Sequence, residues 1–255
     1  MNLAAGFANI SLLQLAAVAG VALFASFLGG VSGYGTGALL PLVLVPLVGA
    51  EPVVPIIAIS ALFTNSSRVA AFARYVDRRR AAMALVAALP TCVLGAWGYT
   101  RLAGAGAAIV IGAMLIASVP LRRLLKHHNV QFGDAGFACG AVVYGVLVGG
   151  TAGSGVVMLS LLMAAGLEGA AVIATDAVIS IVTGIVKISV FGIAGVLTAQ
   201  VVAFALLIGL MALPGPFLAR AFVERMPLHV HTAILDVVVF CGGLFLIAGA
   251  LRNYF

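Results

Sequence analysis

Charged side chains are scarce in this sequence. Of its 255 residues, 8% are Asp, Glu, Lys or Arg and 64% are hydrophobic, whereas soluble domains average about 25% charged residues. An ordinary soluble domain is therefore excluded, because its polar surface could not be built, and the high hydrophobicity excludes intrinsic disorder. The net charge of +6 is too small to indicate a surface for nucleic acid. The composition predicts a polytopic membrane protein with the lipid bilayer as a partner.

The sequence also lacks the ~10-residue segments of alternating polarity that a transmembrane β-barrel shows. Its apolar runs are continuous and approach the ~20 residues of a membrane-spanning helix. No basic residue precedes the first run, so we expect a retained span and not a cleaved signal peptide. An all-α membrane protein is the predicted fold class.

Groups for metal binding, disulfides or catalysis are equally sparse. The cysteines lie inside apolar runs, as small core residues do, at Cys92, Cys139 and Cys241. The histidine pairs, His127 with His128 and His229 with His231, lack the i, i+4 spacing with a carboxylate that a metal site needs. No nucleophile–base pair stands out. We therefore expect no metal, no cofactor and no enzymatic activity.

Glycine, proline and polar residues divide the sequence into ten apolar segments. They cover residues 11–29, 34–48, 52–73, 81–100, 104–121, 133–149, 155–166, 169–190, 197–219 and 230–250. The second and the seventh are short, and each follows a dense glycine cluster.

The two glycine clusters reveal an internal duplication. Residues 29–37 read GGVSGYGTG and residues 149–155 read GGTAGSG, so their glycines align at an offset of 120 residues. Further on, the match continues at an offset of 116, where Ile57 and Ala58 pair with Ile173 and Ala174. The duplication predicts a first membrane repeat over 1–125, a cytoplasmic linker over 126–132 and a second repeat over 133–255. Each repeat is a glycine-broken helix pair followed by three transmembrane helices.

Loop charges predict that the two repeats are inverted. Basic residues favour the cytoplasmic side of short loops, and a basic cluster follows the third helix of the first repeat at residues 74–80. The matching loop of the second repeat, at residues 192–195, is uncharged. The next loop reverses this order: the first repeat has only Arg101, while the second has Arg220, Glu224 and Arg225. Inverted repeats with broken helices are typical of secondary transporters, whose site lies between the repeats.

The glycine clusters have two interpretations. Small residues spaced four apart let membrane helices pack closely, but such a density is better explained by a break in each helix. Backbone N–H groups freed at the start of the next half-helix can bind an anion, helped by the helix dipole and by nearby hydroxyls. The predicted binding residues of this type are Ser32, Gly33, Tyr34, Gly35, Thr36, Gly153, Ser154 and Gly155.

Four charged residues lie within apolar segments, where ionisable groups usually face a cavity or a partner: Arg68, Asp176, Lys187 and Asp236. For Arg68 and Lys187, the alternative is that they extend to the membrane surface or pair structurally. Asp176 is either a proton-coupling group or a member of a buried ion pair with Lys187 or Arg68. Glu51 and Glu168 stand at helix starts, where the helix dipole is a sufficient explanation.

Polar stripes run beside these charges on two matched helices. Asn65 lies in the stripe that leads to Arg68, and Thr183 lies in the stripe that leads from Asp176 to Lys187. Interhelical hydrogen bonding explains many such residues. Because both stripes accompany a glycine break, we expect them to line a pocket and to bind substrate.

These residues resemble a known family. The glycine-rich break, the helix from Ile59-Ser60 into Arg68 and the RYVDRRR turn are similar to the sulfite exporter TauE/SafE family. The second copy, GGTAGSG followed by ATDAVISIVTGIVK, resembles that family's second half, and the resemblance spans essentially the whole chain. It implies a membrane carrier for sulfite, sulfonates or other small anions that works by alternating access.

The combined expectation is a secondary transporter of a small anion, sulfite or an organosulfonate, in the cell inner membrane. Asp176 would couple transport to protons, and a homodimer is considered as a further partner. Alternatives are an anion channel, a carrier for a carboxylate or a metal ion, and a membrane-embedded enzyme or assembly subunit.

Overall fold

The fold is built from α-helices. The computed structural model describes residues 6–7, 10–32, 35–127, 131–223 and 228–252, and their side chains except at 31–32, 122–127, 220–223 and 228–238. No β-strand occurs among the described residues. The helices are α1 (Leu12–Ser32), α2 (Thr36–Val48), α3 (Val53–Phe72), α4 (Arg78–Tyr99), α5 (Gly104–His127), α6 (Asp134–Gly150), α7 (Gly155–Ala164), α8 (Gly169–Ile193), α9 (Ala199–Ala212), α10 (Gly215–Val223) and α11 (Leu228–Arg252).

Six stretches of the described chain are long and apolar enough to cross a membrane. They are Leu12–Gly30, Val53–Tyr75, Arg78–Tyr99, Gly104–Leu121, Gly169–Ile193 and Ala199–Ala219. Helices suit this setting because they satisfy their own backbone hydrogen bonds where lipid cannot. The chain is therefore a multi-pass membrane protein.

The predicted segments correspond to these helices with two differences. Helix α5 continues to His127, past the predicted end at residue 121 and into the predicted linker 126–132, of which residues 128–130 lie outside the described chain. Cations near a helix C-terminus are favourable, so Arg122, Arg123 and Lys126 fit a longer helix. The segment 197–219 is divided into α9 and α10.

The division of α9 from α10 has a local cause. Pro216 has no backbone N–H and cannot donate to the carbonyl of Ala212, four residues earlier. That carbonyl accepts a hydrogen bond from the Ser26 hydroxyl of α1 at 2.6 Å instead. The predicted segment 197–219 still corresponds to one apolar stretch, Ala199–Ala219, which is long enough to cross a membrane.

Both glycine clusters interrupt the helices as expected. Helix α1 ends at Ser32 and α2 begins at Thr36, with Gly35 outside both helices, and residues 151–154 separate α6 from α7. In the second case the chain turns back on itself, because the N–H of Phe132, before α6, donates to the carbonyl of Ala164 at the end of α7, at 2.8 Å.

The helices pack in matched pairs. Helix α3 lies along α8, and α5 lies along α11. Helix α4 contacts both α6 and α8, while α9 contacts both α1 and α3. Helix α3 is the most enclosed span, with 61% of its most apolar window buried against 33% for α4. The centre of the molecule is therefore the contact between α3 and α8.

One glutamate has a different role from the one expected. Glu51 precedes α3, but its carboxylate accepts a hydrogen bond from the N–H of Gly104, at the start of α5, at 2.7 Å. It therefore caps a helix that begins 53 residues later. Glu168 does precede α8, as the N-cap residue, and makes no side-chain cap bond there.

Candidate functional site

A cavity of about 100 Å³ lies at the centre of the fold, between α3 and α8 and beside the two glycine breaks. A single water needs roughly 10–15 Å³ by the same kind of measure, so the cavity can hold a small multi-atom solute. Its polar side chains come from four helices and from the second glycine break. The polar residues are Thr36, Asn65, Arg68, Tyr144, Thr151, Ser154, Asp176, Ser180, Thr183 and Lys187.

Two helix starts open onto this cavity. Thr36 begins α2 and Gly155 begins α7, and no side chain caps either helix. Among the described residues, the N–H groups of Gly155 and Val156 have no hydrogen-bond acceptor. The breaks also meet, since a Cβ built on Gly37 would lie 3.1 Å from the backbone nitrogen of Gly153. The positive ends of two helix dipoles therefore face one small space, which favours an anion.

The glycine clusters serve both of the predicted purposes. A Cβ on Gly149 would overlap the carbonyl of Cys92 in α4, and a Cβ on Gly95 would overlap the carbonyl of Val146 in α6. These glycines let α4 and α6 pack backbone to backbone. Gly155 differs, because nothing lies within 4 Å of a Cβ built there and it lines the cavity. Close packing and helix breaking are thus divided among neighbouring glycines.

Arg68 is buried in a polar cluster. It is 7% exposed, and its Nη1 lies 2.9 Å from Asn65 Oδ1 and 3.4 Å from Asp176 Oδ2. Asp176 is 1% exposed. The ion pair connects α3 to α8, so the two matched helices are joined by opposite charges. Arg68 therefore points into the protein and does not extend to the membrane surface. Of the two cations considered as partners of Asp176, Arg68 forms the ion pair and Lys187 does not.

Lys187 has a different environment. It is also 7% exposed and lines the cavity, but it makes no salt bridge and no hydrogen bond with the described residues. A buried ammonium without an opposite charge is costly. The cavity therefore contains a cation that a bound anion would compensate.

Tyr144 was missed by the sequence interpretation. It is fully buried in α6 and lines the cavity. Its hydroxyl makes no hydrogen bond of normal geometry to a described residue and interacts only weakly with the side chains of Ser180 and Thr183. A signal was present, because Tyr144, Val148 and Thr151 follow the i, i+4, i+7 spacing of one helical face. That face leads into the second glycine break.

The structure brings most of the predicted site residues together. Ten of them line the one cavity: Gly35, Thr36, Asn65, Arg68, Gly153, Ser154, Gly155, Asp176, Thr183 and Lys187. Gly33 and Tyr34 lie outside the described residues, and the side chains of Ser32 and Asp236 are not described. The loop residues Glu224 and Arg225, used above for the orientation of the repeats, also lie outside the described chain.

No group of three or more His, Cys, Asp or Glu side chains that could hold a metal occurs among the described residues. Cys92 is buried, and Cys139 and Cys241 are exposed on the protein surface.

Comparison with known proteins gives one match. The family model described as Sulfite exporter TauE/SafE matches residues 18–246, which include every residue named above as lining the cavity. No curated protein sequence and no solved structure gives a significant match to the chain.

Proposed function

This chain belongs to the sulfite exporter TauE/SafE family, and from that premise we propose that it is a secondary transporter of a small anion, sulfite or an organosulfonate. The membership itself implies membrane transport of sulfite or related anions. The observation that carries the proposal is Lys187, a buried cation that makes no salt bridge with the described residues and lines a central cavity. The proposed location is the inner membrane.

The anion would be held mainly by backbone and hydroxyl groups. The N–H groups at the start of α7 lack acceptors within the described chain, and Thr36, Ser154 and Thr183 place hydroxyls on the same cavity. Lys187 would supply a full positive charge. Donors fixed before the ligand arrives bind an anion without the cost of reorganising flexible groups.

Alternating access would come from two inverted repeats. The helix contacts support a twofold relation: exchanging α1–α5 with α6–α11 converts the contact of α4 with α8 into the contact of α9 with α3. The pairs α3–α8 and α5–α11 are unchanged by the same exchange. In such transporters one repeat rocks against the other around a central site, and here the cavity lies where α3 meets α8.

Asp176 would couple this motion to protons. Its carboxylate faces Arg68 from α3 and Tyr144 from α6, and all three line the cavity. A proton on Asp176 would remove its charge and weaken the contact between α3 and α8.

The test is flux into liposomes that contain the purified protein. We expect saturable uptake of sulfite and methanesulfonate that accelerates when the same anion is present on the other side, as exchange by a carrier requires. Lys187→Met should remove most of this flux. Arg252→Met is the matched control, since Arg252 is exposed at the end of α11 and far in sequence from the cavity residues.

Two results would overturn the proposal. One is the absence of saturable flux for every sulfur oxyanion and sulfonate tested with the wild-type protein. The other is an anion current that neither saturates nor responds to anion on the opposite side, because that behaviour belongs to a channel. For proton coupling, the contrary result is an Asp176→Asn variant whose flux still follows an imposed pH gradient.

A further inference from the structure

Two buried polar atoms in the cavity lack partners. They are Asp176 Oδ1 and the Tyr144 hydroxyl. Neither makes a hydrogen bond of normal geometry to a described residue, and the Tyr144 hydroxyl has only weak interactions with the side chains of Ser180 and Thr183. Asp176 and Tyr144 belong to different helices, α8 and α6, and both line the cavity that contains Lys187. Buried polar atoms are normally satisfied, so an unpaired pair facing one cavity indicates that a ligand or water completes them.

The two atoms require different partners. Asp176 Oδ2 forms an ion pair with Arg68 at 3.4 Å, and an ionised carboxylate accepts hydrogen bonds without donating any. Oδ1 therefore needs a donor. The Tyr144 hydroxyl can donate, as can the unpaired N–H groups at the start of α7 and the ammonium of Lys187.

A simple oxyanion would satisfy only part of this lining. Its oxygens would accept hydrogen bonds from Lys187, from the start of α7 and from Tyr144. One of them would also lie opposite Asp176 Oδ1, so that two acceptors would meet without a donor. An anion that carries an N–H or O–H group resolves the conflict, because the group can donate to Oδ1. Leaving Asp176 Oδ1 buried without a donor costs free energy, so the protein should bind a ligand that supplies a donor more tightly than one that does not.

The two ends of such a ligand would bind in the same cavity. Asp176 and Lys187 both project from α8, eleven residues or about 16 Å apart along the helix axis. Side chains on a helix lean towards its N-terminus, so the long lysine side chain reaches back in the direction of Asp176. This places the cation and the carboxylate on opposite sides of one small solute.

Resting on the proposed function, we propose that the transported anion is an oxyanion with its own hydrogen-bond donor, and that Asp176 Oδ1 selects for this donor. Tyr144 donates to the anionic oxygens and raises affinity for all oxyanions alike. The preferred substrates are therefore narrower than small anions in general: oxyanions with a donor are favoured over anions whose polar atoms are all acceptors.

Sulfamate and methanesulfonate form a matched pair of probes. Both are small sulfonate monoanions at neutral pH, and they differ in having an amino group or a methyl group on sulfur. In the liposome assay at a single pH, we expect the full-length protein to favour sulfamate by about tenfold or more in the ratio of maximal rate to half-saturating concentration. Tenfold corresponds to about 1.4 kcal/mol.

Two variants test whether Asp176 causes the preference for sulfamate over methanesulfonate. In Asp176→Asn, Arg68 will hold the amide oxygen on its own side, so the amide nitrogen replaces Oδ1 as a donor and the preference for sulfamate should disappear. Tyr144→Phe should weaken both anions by a similar factor and keep the ratio. Ser160→Ala is the control, because it also removes a buried unpaired hydroxyl, but one that does not line the cavity.

Each outcome is decisive. Equal transport of the two anions by the wild-type protein would overturn this inference and leave the transporter proposal intact. Transport of neither, together with no transport of sulfite, would overturn both. If Asp176→Asn is transport-inactive, anion-induced thermal stabilisation of the detergent-purified variant gives the same comparison: a retained preference for sulfamate would show that Asp176 is not the selecting group.

Discussion

Arg68 in α3 and Lys187 in α8 are two buried cations on matched helices with opposite surroundings. Both are 7% exposed and both line the central cavity. Arg68 contacts a carboxylate and an amide oxygen, at 3.4 and 2.9 Å. Lys187 has neither a salt bridge nor a hydrogen bond within the described part of the chain. The same burial therefore leaves one charge compensated and the other dependent on a ligand.

The contrast separates two uses of charge in a membrane interior. A compensated ion pair between α3 and α8 holds the two helices together and can be broken by a proton or a competing anion. An uncompensated cation raises the free energy of the empty protein and lowers that of the anion complex. Removing Arg68 should thus lower the free energy of unfolding, whereas removing Lys187 should leave it unchanged or raise it.

The largest expected effect is on the paired cation. Arg68→Met leaves the carboxylate of Asp176 buried without its cation, and breaking a buried pair in this way costs about 3–5 kcal/mol. The measurement is the free energy of unfolding of the detergent-purified protein. The double variant Arg68→Met with Asp176→Asn should recover most of the loss, because no buried charge remains. A double variant no more stable than the single one would show that the pair is not what Arg68 contributes.

An intermediate effect is expected at the unpaired cation. Lys187→Met removes a buried charge that has no counter-charge in the described structure, so the free energy of unfolding without anion should stay unchanged or rise. The stabilisation that wild type gains from sulfite, about 2.7 kcal/mol at a hundredfold excess over Kd, should be lost. Thermal unfolding with and without sulfite measures both quantities. A loss as large as that of Arg68→Met would mean that Lys187 is also structurally paired.

The smallest expected effects lie at two matched helix caps. Asp77 accepts from the N–H of Arg80 at the start of α4, at 2.9 Å, and Thr198 accepts from the N–H of Val201 at the start of α9, at 3.3 Å. Replacing either by Ala should cost about 1 kcal/mol without changing anion-induced stabilisation. The same unfolding measurement applies. A change in anion response in either variant would extend the site beyond the cavity.

Sequence patterns predicted the helices well, and the reasons for the exceptions are specific. Most helix ends fall within three residues of the predicted segments, because apolar length and glycine clusters are local signals. The division of α9 from α10 follows a local signal, Pro214-Gly215-Pro216, and only the bond from Ser26 of α1 to the freed carbonyl of Ala212 depends on tertiary structure. The role of Glu51 depends on Gly104, in another helix. Such contacts between distant residues leave no mark in a local pattern.

The candidate site was predictable to a similar degree. Arg68, Asp176 and Lys187 were found because charges in apolar runs are costly and conspicuous. Tyr144 was not found, since an aromatic residue in an apolar helix is ordinary, and only its position on the cavity face of α6 distinguishes it. The use of Gly149 for packing and of Gly155 for the cavity was also hidden, because both glycines belong to one cluster.

The amino-acid sequence by itself determined the membrane class, the helix positions and the breaks. Each follows from the number of charges, the length of an apolar run or the lack of a Cβ. Only the tertiary structure decided which charges are compensated. That outcome depends on the rotation and register of α3 against α8, which bring Arg68 to Asp176 and leave Lys187 facing the cavity. A shift of one residue along either helix would turn a side chain by about 100° and separate Arg68 from Asp176.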